Sequence, residues 1–115
     1  MKYNLEKINL EFQTAEKAIY EGNEGKARVC ARRAVGFAIQ EKFHSLGITV
    51  RTPELKKLSE LFITEIDSTD ELKTILEHMN WKVEYKKGAT STFWPYPEID
   101  LVEEAKRFAK IILSD

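Results

Sequence analysis

An all-α fold is what this sequence predicts: an antiparallel up-and-down bundle of four main helices plus a shorter one, with residues 1–115 as a single domain. Three observations carry that expectation. Successive stretches place apolar residues three and four apart, the spacing of one helix face. The breaks between the early stretches are short and hold glycine, proline or a capping residue, so neighbouring helices turn back on one another. The third observation is the stretch 25–46, GKARVCARRAVGFAIQEKFHSL. There Ala27, Cys30, Ala31, Ala34 and Ala38 form a smooth stripe, and Val35, Ile39, Phe43 and Leu46 form a second. Two stripes mean burial on more than one side, and small side chains allow close approach, so this helix is expected at the centre.

The first helix covers about residues 2–21, with Leu5, Ile8, Phe12, Ala15 and Ile19 as one narrow seam. Gly22-Asn23-Glu24-Gly25 breaks it in a tight helix-to-helix turn, which sets the second helix antiparallel to the first. The second helix ends at Gly47, suited to the left-handed C-cap conformation, with Ile48 placed to pack back on the last turn. Thr52 is expected to cap a third helix with Pro53 at its first position, where a missing N–H costs nothing. Its buried face is Leu55, Leu58, Phe62 and Ile66. Ser68 and Glu71 make a Ser-x-x-Glu capping box for a fourth helix, whose apolar set is Leu72, Ile75, Leu76 and Met79.

From 82 to 97 the helical period is lost. Trp81, Val83 and Tyr85 alternate, as do Thr92 and Trp94, around Lys86-Lys87-Gly88. That alternation admits a hairpin, but a long structured loop is the expectation in an otherwise helical chain. The last helix spans about residues 98–113, with acids early and bases late, an order that suits the helix dipole. Leu101, Ala105, Phe108 and Ile112 are its seam.

Composition narrows the classes of function. The chain is 43% hydrophobic and 32% charged, as in a soluble helical protein, and its net charge is −1. A general nucleic-acid binder is usually basic throughout, so any phosphate contact must come from a local patch. The second helix is one such patch, with Lys26, Arg28, Arg32, Arg33 and Lys42 against Glu24 and Glu41. The one cysteine, Cys30, excludes an internal disulfide and a cysteine-based zinc site; on the small stripe it reads as a core residue, which favours a cytoplasmic setting. The N-terminus is too charged for a signal peptide, and no apolar run approaches membrane-spanning length.

Candidate contact residues each have a plain reading beside the functional one. Lys26, Arg33, Gln40 and His44 fall on one face of the second helix, which would meet phosphate or a partner, or simply be a solvated edge. Arg32 and Arg33, beside small residues on a central helix, must find a carboxylate, a carbonyl or a ligand. Between residues 54 and 77 stand seven acids against three lysines, so a structural salt bridge to that span is the simplest expectation. His44 is expected to interact with its helix C-terminus, and His78 to lie on the surface; no third ligand accompanies either, so no metal site is expected. Phe93-Trp94-Pro95-Tyr96-Pro97 would anchor the loop on the bundle, form a dimer contact, or stack bases, in that order of expectation. No Gly-rich phosphate loop, nucleophile elbow or paired-carboxylate pattern is present in the sequence.

The helix GNEGKARVCARRAVGFAIQEKF followed by Gly47, together with Tyr96-Pro97 ahead of DLVEEAKRFAKII, resembles the HEPN domains, over nearly the whole chain. The resemblance implies a helical bundle, a homodimer, and a role beside a small nucleotidyltransferase as its partner or as its toxin. Catalytic members cut RNA with an arginine followed four to six residues later by a histidine near the start of the last helix. The matching region here, Thr92 to Pro97, holds neither, and Arg33 precedes His44 by eleven positions. The expected function is therefore a non-catalytic, homodimeric interaction module without a cofactor, partnering a nucleotidyltransferase and holding nucleotide in a cleft at Arg32 and Arg33. Lys26, His44, Trp94 and Tyr96 are the other candidate contacts. The alternative is an RNase toxin of a toxin–antitoxin pair. Its site would join Arg33 of one protomer to His44 of the other, because within one chain the two stand about 16 Å apart.

Overall fold

The small residues of the second helix decide how the chain packs. In the computed structural model, which describes residues 2–66, 68–81, 84–85, 92–93 and 98–114, this helix is α2, Glu24–Ser45. Ala27, Cys30, Ala31, Ala34 and Ala38 are all buried, as are Val35, Ile39 and Phe43. Both stripes are covered within the chain: α2 packs against α1 (Lys2–Tyr20), α3 (Leu55–Glu65) and α5 (Leu101–Leu113), while α4 (Asp70–Met79) packs on α5. The fold of the described residues is all-helical in its packing, with α2 at the centre.

The α1–α2 turn works through backbone geometry. Gly22 takes φ +80°, and the Gly22 and Asn23 N–H groups donate back to the Ile19 and Ala18 carbonyls, which satisfies the end of α1. The Asn23 side chain then accepts from the Lys26 N–H and starts α2. The α1 seam differs from the expected one. Ile8, Ala15 and Ala18 are buried, whereas Leu5 and Ile19 are 42% and 46% exposed. The same spacing fits two registers one residue apart. Close approach to the alanine stripe of α2 selects the register that presents Ala15 and Ala18, and it turns Asn4 and Glu11 inward as well.

At the far end of α2, Gly47 sits at φ +75°; its N–H donates to the His44 carbonyl, and the Ile48 N–H donates to Phe43. Leu46, expected on the second stripe, is the C-cap residue and 52% exposed, because the helix surface ends before it. The third helix starts later than expected. Glu54 is still extended at its N-cap, Pro53 lies outside the helix, and the Thr52 hydroxyl accepts from the Glu54 N–H instead of capping a helical turn. The cap of α4 is Thr69, which accepts from the Leu72 N–H, while Ser68 donates its hydroxyl to the Ile66 carbonyl. Two adjacent hydroxyls could each cap; the one that lets Leu72, Ile75, Leu76 and Met79 face inward does so. For α5 the cap is Asp100, whose Oδ1 accepts from the N–H groups of Val102 and Glu103, so the helix starts at Leu101 rather than near Glu98.

The core closes where α3 meets α5. Phe62 and Phe108 are fully buried with ring centroids 5.4 Å apart and tilted by 54°, a favourable edge-on geometry. Buried Ser59 donates to the Leu55 carbonyl and accepts from Asn80 Nδ2, so its hydroxyl is satisfied. Where a long loop was expected, Glu84–Tyr85 and Thr92–Phe93 pair antiparallel, Glu84 opposite Phe93 and Tyr85 opposite Thr92. The alternating aromatic and Thr residues suit a pleated pair, and that preference outweighs the helical context. No helix among the described residues is long and apolar enough to cross a membrane.

Candidate functional site

Along α2, residues 32, 33, 36, 37 and 40 share the side that faces the approach to α3. The chain entering α3 leaves a gap there. Arg32, Arg33, Gly36, Phe37 and Gln40 from α2, with Pro53 and Leu55 opposite, line a cleft of about 320 Å³. The cleft is kept open by Gly36, which has no side chain to fill it, and by the extended Thr52–Glu54 segment, whose Thr52 carbonyl accepts from Gln40 Nε2 at 3.4 Å.

The two arginines take different roles. Arg32 is half-buried, and its Nε donates to the Met79 carbonyl at 3.0 Å. Met79 ends α4, so the guanidinium meets the negative end of that helix dipole. Burial holds the Arg32 guanidinium below the usual arginine range, and the neighbouring Arg28 charge pushes the same way. Arg33 points outward, its side chain 64% exposed, with Glu11 Oε2 of α1 at 3.9 Å. The expectation of a salt bridge to the acids between 54 and 77 is corrected for Arg33, which takes a carboxylate of α1, while the Arg32 bond goes to the Met79 carbonyl, two residues past that span. Two of those acids pair with other cations, Glu54 with Lys57 at 3.4 Å and Glu71 with Arg107. The Lys7 ammonium lies 5.1 Å from the Phe37 ring centroid, so a third cation stands beside the cleft.

The other sequence candidates do not converge on this place. Exposed Lys26 lies two turns before Arg33 and does not line the cleft. His44 lines an adjoining depression of about 590 Å³ with Asn4, Gly47, Ile48 and Thr49, and Gln40 is shared by both. Trp94 and Tyr96 lie outside the described residues. Gly36, Phe37, Pro53 and Leu55 are the cleft residues that the sequence did not assign to it. The available signal was Phe37, an aromatic one turn beyond Arg33 and on neither buried stripe.

Three further groups are placed by packing. His78 was expected on the surface, but its Nδ1 lies 2.7 Å from Glu104 Oε1 and its ring is 4.5 Å from Trp81, joining α4 to α5. Glu41 is buried in α2 and accepts from Asn4 Nδ2 at 3.5 Å. Burial pushes the Cys30 thiol up, and the adjacent Glu11 carboxylate adds to the shift. Among the described residues no group of three or more His, Cys, Asp or Glu side chains is placed to hold a metal ion.

Compared with protein-family models, with curated proteins and with solved structures, the chain matches none.

Proposed function

We propose that this protein is a non-catalytic, HEPN-like interaction module, an antiparallel up-and-down bundle that works as a homodimer in the cytoplasm and holds nucleotide in the Arg32/Arg33 cleft. The observation that carries the reading is the exposed Arg33 guanidinium at the rim of an otherwise largely apolar cleft, with Arg32 braced behind it. An anchored cation beside an apolar recess suits a ligand with one charged and one flat part. A nucleotidyltransferase partner, which the resemblance implies, would supply or consume such a ligand.

Exposed Leu5, Leu10 and Ile19 on α1 and Leu61 and Ile63 on α3 are among the apolar surfaces open to a second copy. Arg33 and His44 line different depressions of one chain, so the RNase alternative requires a site joined across two protomers.

Calorimetry with AMP on the wild type and on Arg33→Ala tests the cleft, light scattering tests the dimer, and RNA incubation with wild type and His44→Ala tests the absence of catalysis. Expected are AMP binding that weakens at least tenfold in Arg33→Ala, a dimer at micromolar concentration, and intact RNA. His44-dependent cleavage would defeat the non-catalytic reading.

A further inference from the structure

We infer that the cleft takes a single phosphate monoester carried on a flat ring and that it does so without a metal ion, a conclusion that rests on the nucleotide reading above. Charge sets the number of phosphates. Arg32 faces the Met79 carbonyl at the end of α4, so part of its charge is offset there. Arg33 is the outward cation, and Glu11 at 3.9 Å is too far for a hydrogen bond. One outward guanidinium with a braced second behind it matches one phosphate group, which arginine engages through its fork of donors. A triphosphate carries about four negative charges and is ordinarily bound with Mg²⁺, held on the protein side by one or two carboxylates. None of the seven residues lining the cleft is an acid.

The shape of the recess sets the rest of the ligand. Beyond the arginines its walls are Phe37, Pro53 and Leu55, and its floor opens at Gly36. Such walls suit a planar ring and give a sugar alone little to contact. Lys7, over the Phe37 ring, adds positive potential at the same end and no coordinating oxygen.

The test is calorimetry on the intact chain with AMP, ribose 5-phosphate, adenosine, inorganic phosphate and ATP, each with Mg²⁺ and with EDTA. AMP is expected to bind equally in both buffers. Ribose 5-phosphate, adenosine, inorganic phosphate and ATP should each bind at least tenfold more weakly. Arg33→Ala should reduce AMP affinity at least tenfold and bring it to the level of adenosine, with Arg33→Lys intermediate. ATP that binds more tightly than AMP, or AMP binding lost in EDTA, overturns the inference while the nucleotide reading stands. Ribose 5-phosphate as tight as AMP overturns the ring. No binding by AMP or ATP defeats the nucleotide reading itself, and the inference with it.

Discussion

Arg32 Nε donates to the backbone carbonyl of Met79 at 3.0 Å, and this bond ties the middle of the central helix to the end of α4 across 47 residues of chain. A cation at a helix C-terminus completes an orphan carbonyl and meets the dipole at once. Its neighbour Arg33 has no comparable duty, with most of its side chain in solvent.

The pair should therefore separate on mutation. Arg32→Ala is expected to lower stability by about 1.5–3 kcal/mol, the usual range for a hydrogen bond made by a charged group. Arg33→Ala should stay within about 0.5 kcal/mol, as exposed substitutions do. Urea unfolding of the two variants checks this, and an equal loss in both would refute the division of roles.

His78 and Glu104 bind α4 to α5 in the same way that Arg32 binds α4 to α2. The contact at 2.7 Å is supplemented by the Trp81 ring. His78→Ala removes both and should cost about 1–2 kcal/mol. Glu104→Gln keeps a partner for the imidazole and should cost less than half of that. Thermal melts of the two variants would show the order; a silent His78→Ala would mean that α4 is held by Leu72, Ile75, Leu76 and Met79 and by the Arg32 bond, without help from His78.

Cys30 gives a pH prediction. Its folded pKa lies above the ordinary value of 9.0, first because of burial and then because of Glu11. The unfolded thiol ionises near 9.0, whereas the folded one stays neutral. Stability from this group is thus whole below pH 9.0 and is lost as pH rises from there toward the folded pKa. Unfolding followed from pH 7 to 10 should show that fall, and Cys30→Ala should show less of it. At pH 8 a thiol reagent should leave native protein unlabelled and label it in urea.

Gly36 stands in the middle of α2 and is buried, whereas Gly25 is in the helix's first turn. A Cβ there would meet Leu58 Cδ1 at 3.7 Å, an ordinary contact. Gly36→Ala should raise stability by about 0.5–1 kcal/mol through helix propensity. A higher urea midpoint confirms it; a lower one would mean that the α2–α3 approach has no room for a methyl group.

Local patterns in the sequence were enough for the helices, for α2 as the buried centre, and for Gly47 as a left-handed helix end, because spacing and φ preference are properties of a few adjacent residues. The same patterns left choices between neighbours that only packing could make. Leu5 or Asn4 could open the α1 seam, and Ser68 or Thr69 could cap α4; the alanines of α2 and the inward set of α4 made the selection. The pairing of Glu84–Tyr85 with Thr92–Phe93 was a possibility that the helical context ranked below a loop.

The cleft was half legible. Two adjacent arginines on a central helix had to find partners, and one did take a carbonyl. That Arg32 would reach Met79, that Arg33 would turn to Glu11, and that Pro53 and Leu55 would face Phe37 depends on how four helices meet. Those contacts join residues up to 47 positions apart, and no one-dimensional spacing encodes such distances.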